Sequence, residues 1–124
     1  MVSGPILRRS SLLASLFLGL ALPLAAPAQT ISQAQMRAAN LARMEAERLN
    51  GGLTHYFAGQ CMHQRGGANC LIQANETGFL FRFPGGTPGW EPNHRAATVE
   101  SEILISADGN KIEKVAYNGL PRIK

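Results

Sequence analysis

The hydrophobic period of this 124-residue chain changes once, at Gly51-Gly52. Before that point apolar side chains recur every three or four positions, which predicts an amphipathic helix; after it they follow the period of two that is typical of strands. No helical pattern separates the later segments, and this disfavours a parallel sheet, whose crossover connections need a dozen or more residues. We therefore expect an α+β fold in which one N-terminal amphipathic helix packs on a four- to five-stranded antiparallel meander sheet.

The predicted helix covers residues 30–50. Ser32 and Gln35 have the spacing of a capping box, and Gly51-Gly52 supplies a C-terminal stop. Arg43 and Glu47 are spaced for an i, i+4 ion pair on the polar side. The apolar side is rich in alanine, which suits close packing on a sheet.

Five strands are predicted after the helix, at residues 59–63, 70–74, 79–83, 98–106 and 111–118. The segment Ala107–Asn110 contains Asp-Gly, which favours a hairpin turn. Ile112 and Val115 have opposite parity in the last strand, and this indicates a bulge or burial on both faces. The stretch Pro84–Arg95 is rich in proline and glycine and is long for a loop without a function.

Residues 1–28 have the pattern of a cleavable signal peptide. Arg8 and Arg9 precede a short apolar run, and Ala26-Pro27-Ala28 fits a peptidase site before Gln29. The apolar run is too short to span a bilayer, so we expect no stable membrane anchor after cleavage. Residues 29–124 would then form a single small domain in the periplasm or the extracellular medium.

Removal of the leader changes the charge balance. Without Arg8 and Arg9, ten basic side chains face eight acidic ones, and the net charge falls from +4 to +2. A dispersed charge of this size argues against a nucleic-acid partner, which needs a basic stripe. One domain of this length also excludes nucleotide-binding α/β enzymes, and we expect no cofactor.

Cys61 and Cys70 are the two cysteines, and an even number in an exported protein favours a disulfide. The alternative is a copper or zinc site formed by Cys61, His63 and Cys70, with His55 as a further ligand. Its spacing matches no zinc finger or zinc ribbon.

A small hydrolase is a second alternative. It would use His94, or the pair Glu100 and Glu102, which point to the same side of one predicted strand. Alternating charges on the wet face of a sheet are the more common explanation for such glutamates. His94 and its neighbour Arg95 could also bind an anionic ligand.

Trp90 has two interpretations. It covers an open edge of the core, as tryptophan commonly does. Alternatively, Trp90, Phe83 and the neighbouring prolines form an exposed aromatic platform for a peptide or a glycan.

Four short motifs stand out in the chain: Asn50-Gly51-Gly52-Leu53, Cys61-Met62, Gly85-Gly86-Thr87-Pro88-Gly89-Trp90 and Tyr117-Asn118-Gly119-Leu120-Pro121-Arg122. Together they resemble small exported proteins of cyanobacteria. The resemblance implies a bacterial envelope location and no particular activity. Together with the signal pattern, it leads us to expect a non-enzymatic module that binds a protein, peptide or glycan in the envelope.

Overall fold

The computed structural model describes Gly19 and residues 30–122. Apart from Gly19, the predicted signal segment lies outside these residues. Within the described part, one α-helix precedes a five-stranded antiparallel sheet, and two 3-10 segments interrupt the order of strands. The elements are α1 (Gln33–Leu49), β1 (Phe57–Ala58), two 3-10 segments (Gln60–His63 and Arg65–Cys70), β2 (Leu71–Asn75), β3 (Gly78–Gly86), β4 (Val99–Ile105) and β5 (Ile112–Gly119). None of the helices among these residues is long and apolar enough to cross a membrane.

Strand β3 is the centre of the sheet. It pairs with β4 along one edge, and β1 and β2 share its other edge at opposite ends. Strand β5 pairs with β4, so β2 to β5 follow the predicted meander order and β1 departs from it. The α+β class and the antiparallel sheet are thus confirmed.

Helix α1 begins at Gln33 rather than at residue 30, and Ser32 caps it as predicted, because Ser32 Oγ accepts a hydrogen bond from the Gln35 amide at 3.0 Å. The reciprocal half of the capping box is wrong: the Gln35 side chain instead donates to the Gly66 carbonyl oxygen, at 3.0 Å. Arg43 and Glu47 form the predicted ion pair at 3.1 Å. Four buried alanines face the sheet, namely Ala38, Ala39, Ala42 and Ala46.

The core lies between α1 and one face of the sheet. Its largest fully buried apolar side chains are Tyr56, Met62, Phe81, Phe83, Ile103 and Ile105. Because successive strand residues point to opposite faces, the neighbours of these positions on β3 and β4 form the other face of the sheet. That outer face is where Arg82 pairs with Glu102 across the two strands.

The strand predicted at residues 59–63 is wrong, because Gln60–His63 is a 3-10 turn and β1 ends at Ala58. The Gly59 amide donates to the Pro84 carbonyl oxygen at 2.8 Å, and the chain then turns away from β3. Pro84 itself belongs to β3 rather than to the predicted loop. The Pro84 nitrogen, which carries no hydrogen, lies on the same side of β3 as the Pro84 carbonyl oxygen. Neither β1 nor β2 pairs with Pro84 along that edge, so proline is tolerated there.

Strand β5 contains the predicted irregularity, in the form of two shifts of register against β4. These shifts let Ile112, Val115 and Asn118 all lie opposite helix-facing residues of β4. The β4–β5 turn is also as predicted: Asp108 Oδ1 accepts from the Asn110 amide at 3.0 Å. Arg37 of α1 donates to the Asp108 carbonyl oxygen at 2.8 Å, which ties the helix to this turn.

Candidate functional site

Cys61 and Cys70 are joined by a disulfide, with their Cα atoms 5.9 Å apart. They close a ring of ten residues, and we name residues 60–70 the disulfide loop. In it Gly66, Gly67 and Ala68 all have positive φ, at 67°, 81° and 44°. Because glycine adopts such angles without strain, the Gly-Gly pair lets the chain reverse within the ring.

Gly67 also allows the disulfide loop to approach the core closely. A Cβ atom at this position would lie 2.6 Å from Phe81 Cε1 and 3.5 Å from the Ala39 methyl group. The loop therefore packs directly on both α1 and β3, and its shape is fixed by the core as well as by the disulfide.

A second segment, the tryptophan loop (residues 87–98), connects β3 to β4. The Trp90 indole is buried, and its Nε1 donates to the Phe57 carbonyl oxygen at 2.8 Å. The next residue, Glu91, accepts a hydrogen bond from the Gln60 amide at 2.7 Å. These two bonds anchor the tryptophan loop to β1 and to the start of the disulfide loop.

Trp90 and Phe83 do not form the exposed aromatic platform that the sequence left open. Trp90 is 7% exposed and Phe83 is 1% exposed. Gly85 leaves room for Tyr56, and Gly86 leaves room for Trp90. Because Gly85 and Gly86 point to opposite faces, Trp90 covers the outer face of the sheet, whereas Phe83 lies under α1.

An open groove of about 610 Å³ lies between the disulfide loop and the tryptophan loop. It is lined by Cys61, Gln64, Ala68, Asn69, Cys70, Pro84 and Glu91. The disulfide and Pro84 supply apolar surface, and the amides of Gln64 and Asn69 both donate and accept hydrogen bonds. Uncharged amides beside a small apolar wall are suited to the alternating polar and apolar groups of a polypeptide.

A smaller cavity of about 150 Å³ lies between α1 and the disulfide loop, and we name it the basic pocket. It is lined by Met36, Asn40, Arg43, His63, Gln64, Arg65 and Gly66. Gln64 lines both the groove and the basic pocket. The two cavities are therefore adjacent at Gln64.

The His63 ring is held in place at the basic pocket. It stacks on the Phe57 ring, with centroids 4.4 Å apart and the planes 10° from parallel. Desolvation by burial and the positive charge of Arg43 lower the pKa of His63, although Glu47 and Glu91 oppose this shift. The lowered pKa widens the range of pH over which this imidazole is neutral.

The metal-site hypothesis requires the thiolates of Cys61 and Cys70, and both sulfur atoms are bonded in the disulfide. Within Gly19 and residues 30–122, no three side chains of His, Cys, Asp or Glu group closely enough to hold a metal ion. His55 is exposed, and His63 stacks on Phe57 as described.

His94 and Arg95 lie at the end of the tryptophan loop with exposed side chains. Their backbone amides bond to the carbonyl oxygens of Glu91 and Trp90, and His94 has a positive φ of 56°. Neither side chain lines the groove or the basic pocket. Both residues therefore contribute backbone hydrogen bonds to the turn in the tryptophan loop.

Glu100 and Glu102 share the outer face of the sheet, as predicted, but both carboxylates are paired. Arg122 bonds to Glu100 and also to Glu102, the latter at 2.8 Å, and Arg82 lies 3.6 Å from Glu102. The Arg122 guanidinium lowers the pKa of Glu102, and Arg82 adds to the effect. A glycosidase needs one carboxyl of raised pKa as its acid, and Glu102 is shifted in the opposite direction.

The sequence pointed to the cysteines, His63 and the tryptophan loop, but not to Gln64, Asn69, Arg43 and Arg65. These four residues are ordinary surface types with no periodicity to distinguish them. The pair Gly66-Gly67 between two cysteines was the available signal, because it indicates a tightly folded ring. Comparison of the whole chain with known proteins gives no match to a family model, to a curated protein or to a solved structure.

Proposed function

We propose that this protein is an exported, non-enzymatic module that binds a peptide, or an extended segment of an envelope protein, in the groove. The observation that carries this proposal is the groove itself, which lies open between two loops that are each held in place. The disulfide and the core hold one wall. Trp90 and Glu91 hold the other. A preformed site of this kind loses little conformational entropy when a ligand binds.

Export is supported by two independent features. Residues 1–28 follow the pattern of a signal peptide. The Cys61–Cys70 disulfide is of a kind that persists in oxidising compartments such as the bacterial periplasm. The resemblance to exported cyanobacterial proteins adds the bacterial envelope to this proposal.

A peptide is favoured over a glycan by the chemistry of the lining. Sugar rings are commonly bound on exposed aromatic faces, whereas the residues that line the groove in the described chain include no aromatic side chain. Gln64 and Asn69 instead offer amides that pair with peptide groups. Pro84 and the disulfide provide contact for small apolar side chains.

The metal-binding and hydrolase alternatives have no comparable observation in their favour. The metal site would need the thiolates of Cys61 and Cys70, which are bonded to each other in the disulfide. The glutamates of the hydrolase alternative both pair with Arg122, and Arg82 also pairs with Glu102.

Selection from a random library of displayed seven-residue peptides tests the proposal, with the oxidised domain of residues 29–124 as bait. We expect an enriched motif whose synthetic peptide shifts the amide resonances of Gln64 and Asn69. Asn69→Trp should abolish binding, because the indole would fill the groove from an exposed position. Gln73→Trp adds the same bulk on exposed β2, away from the groove, and should bind normally.

The proposal is wrong if no motif is enriched. It is equally wrong if the two tryptophan variants bind the selected peptide alike.

A further inference from the structure

We infer that the basic pocket binds the carboxylate of an acidic peptide that lies in the groove. This inference rests on the proposed function, because it names the class of peptide that the groove would take. It also makes a claim about the basic pocket that can be tested without that peptide.

The basic pocket has hydrogen-bond donors without a resident acid. Two guanidinium groups, from Arg43 and Arg65, line it together with the amides of Asn40 and Gln64. No carboxylate is among its lining residues in the part of the chain that the structure describes. Its volume of about 150 Å³ corresponds to about five water molecules, which is room for a carboxylate.

The hydrogen bonds of the two arginines leave donors available. Arg43 uses Nε on Glu47, at 3.1 Å, and Nη1 on the Asn40 and Met62 oxygens, at 3.3 Å, so that Nη2 has no partner among the described residues. Arg65 uses only Nε, on the Met36 sulfur at 3.3 Å, and both of its Nη groups are without a protein acceptor in the described range. Guanidinium donors of this kind suit the two oxygens of a carboxylate.

The formally charged residues that line the basic pocket, Arg43 and Arg65, are both basic. Glu47 offsets Arg43 through their ion pair, whereas Arg65 has no acidic partner within residues 30–122. His63 adds a group that can gain a proton when an anion arrives.

Continuity with the groove specifies where the acid stands in the ligand. Gln64 lines both cavities, so a ligand in the groove that extends past Gln64 would reach the basic pocket. Glu91 lines the groove but not the basic pocket, and its carboxylate disfavours an acidic residue within the groove itself. The ligand should therefore place its acidic group at the Gln64 end.

The titration of His63 reports on this site. The groups that face it are Arg43 and Glu47 on α1 and Glu91 on the tryptophan loop. An anion beside Arg43 offsets the charge that lowers the pKa of His63, so that pKa rises on binding. By linkage, the anion then binds more tightly at lower pH.

The experiment follows the Cε1 proton of His63 by NMR, with exposed His55 and His94 as internal references. Two probes are used: N-acetylglycine, for a C-terminal carboxylate, and the α-amide of N-acetylaspartate, for a side-chain carboxylate. Sodium chloride of equal ionic strength controls for screening. We expect at least one probe to raise the pKa of His63 by roughly half a unit or more, which chloride does not do.

Two charge-removing variants make the test specific. Arg65→Gln should weaken binding of the probe about tenfold, because it removes the available Nη donors. Arg95→Gln removes the same charge on the exposed tryptophan loop and should leave binding unchanged. No shift of the His63 pKa in the unmodified protein, or equal losses in both variants, overturns the inference.

The two proposals can fail separately. Peptides that are selected through the groove but carry no acidic residue would overturn the carboxylate site and keep the proposed function. Probes that bind at His63 while Asn69→Trp leaves peptide binding intact would keep the carboxylate site and overturn the proposed function.

Discussion

Asn50 and Asn118 lie 68 residues apart and bond to each other through both side-chain amides. Asn50 Nδ2 donates to Asn118 Oδ1 at 3.0 Å, and Asn118 Nδ2 donates to Asn50 Oδ1 at 3.2 Å. Asn118 Oδ1 also accepts from Ser101, which is fully buried, and Asn50 donates to the Ala46 carbonyl oxygen. One polar cluster thus joins the end of α1 to β4 and β5.

Replacement of Asn118 by alanine should destabilise the protein by about 1–3 kcal/mol, because Ser101 and Asn50 would lose their partner in the interior. Urea denaturation of Asn118→Ala measures this loss. Asn69→Ala, at an exposed asparagine without a side-chain hydrogen bond among the described residues, should change stability by less than about 0.5 kcal/mol.

A double-mutant cycle with Asn50→Ala refines this prediction. The losses of stability in Asn50→Ala and Asn118→Ala should be less than additive, since each single variant already breaks the hydrogen bonds between the two amides. Additive losses would show that the two amides do not support each other.

Gly67 should be intolerant of a side chain for a reason beyond its backbone angle. Gly67 and Gly52 have similar φ values, 81° and 85°, but a Cβ at Gly67 would lie 2.6 Å from Phe81, whereas Gly52 has nothing within 4 Å. Gly67→Ala should therefore cost about 1–3 kcal/mol more than Gly52→Ala in urea denaturation. Equal costs would mean that the disulfide loop moves away from the core without penalty.

The disulfide should contribute about 2.7 kcal/mol to stability on the chain-entropy model, since it closes a ring of ten residues. The double variant Cys61→Ala/Cys70→Ala measures this contribution in urea. Mass analysis of the unreduced protein should give a value about 2 Da below that of the dithiol, with no alkylation. Two alkylated cysteines, together with stoichiometric bound copper or zinc, would instead support the metal-binding alternative.

The helix, the β3–β4 pair and the last turn could be predicted because their signals are local. Ser32 starts α1, β4 alternates in parity, and Asp108 supplies its own turn. An irregularity in β5 could be predicted from the mismatched parity of Ile112 and Val115, although not its form as two register shifts.

The strand expected at residues 59–63 failed because its determinants are distant in the chain. The Gly59 amide bonds to Pro84, 25 positions away, and Gln60 is held by Glu91. The burial of Trp90 depends on Gly86 and on the Phe57 carbonyl in the same way. The groove could not be predicted for this reason, since it exists only where these distant contacts bring two loops together.

Acid should weaken the contribution of the Glu102 carboxylate to the free energy of unfolding. Its pKa is lowered in the folded protein by Arg122, so the unfolded state binds more protons in acid. The stabilisation is present above the ordinary pKa of glutamate and is lost as pH falls through the lowered value. Because Arg122 is partly exposed, we expect a small effect of about 0.5 kcal/mol at neutral pH.

The measurement is the difference in unfolding free energy between the unmodified protein and Glu102→Gln, taken at pH 7 and near pH 3. That difference should shrink in acid. Glu113→Gln, at an exposed position of β5 with no ion pair within residues 30–122, is the control and should show a smaller dependence on pH. An equal dependence in both variants would contradict the role of Arg122.

Trp90→Phe should separate the anchoring hydrogen bond from ring packing. The variant keeps an aromatic ring against Gly86 but leaves the Phe57 carbonyl oxygen without its donor, at an expected cost of about 1–2 kcal/mol. Tyr117→Phe also removes one donor from a backbone carbonyl, that of Leu120, at an exposed site, and should cost less than about 0.5 kcal/mol. If Trp90 fixes the wall of the groove, hydrogen exchange at the Gln60 amide should accelerate in Trp90→Phe and not in Tyr117→Phe, because Glu91 would no longer be held over that amide.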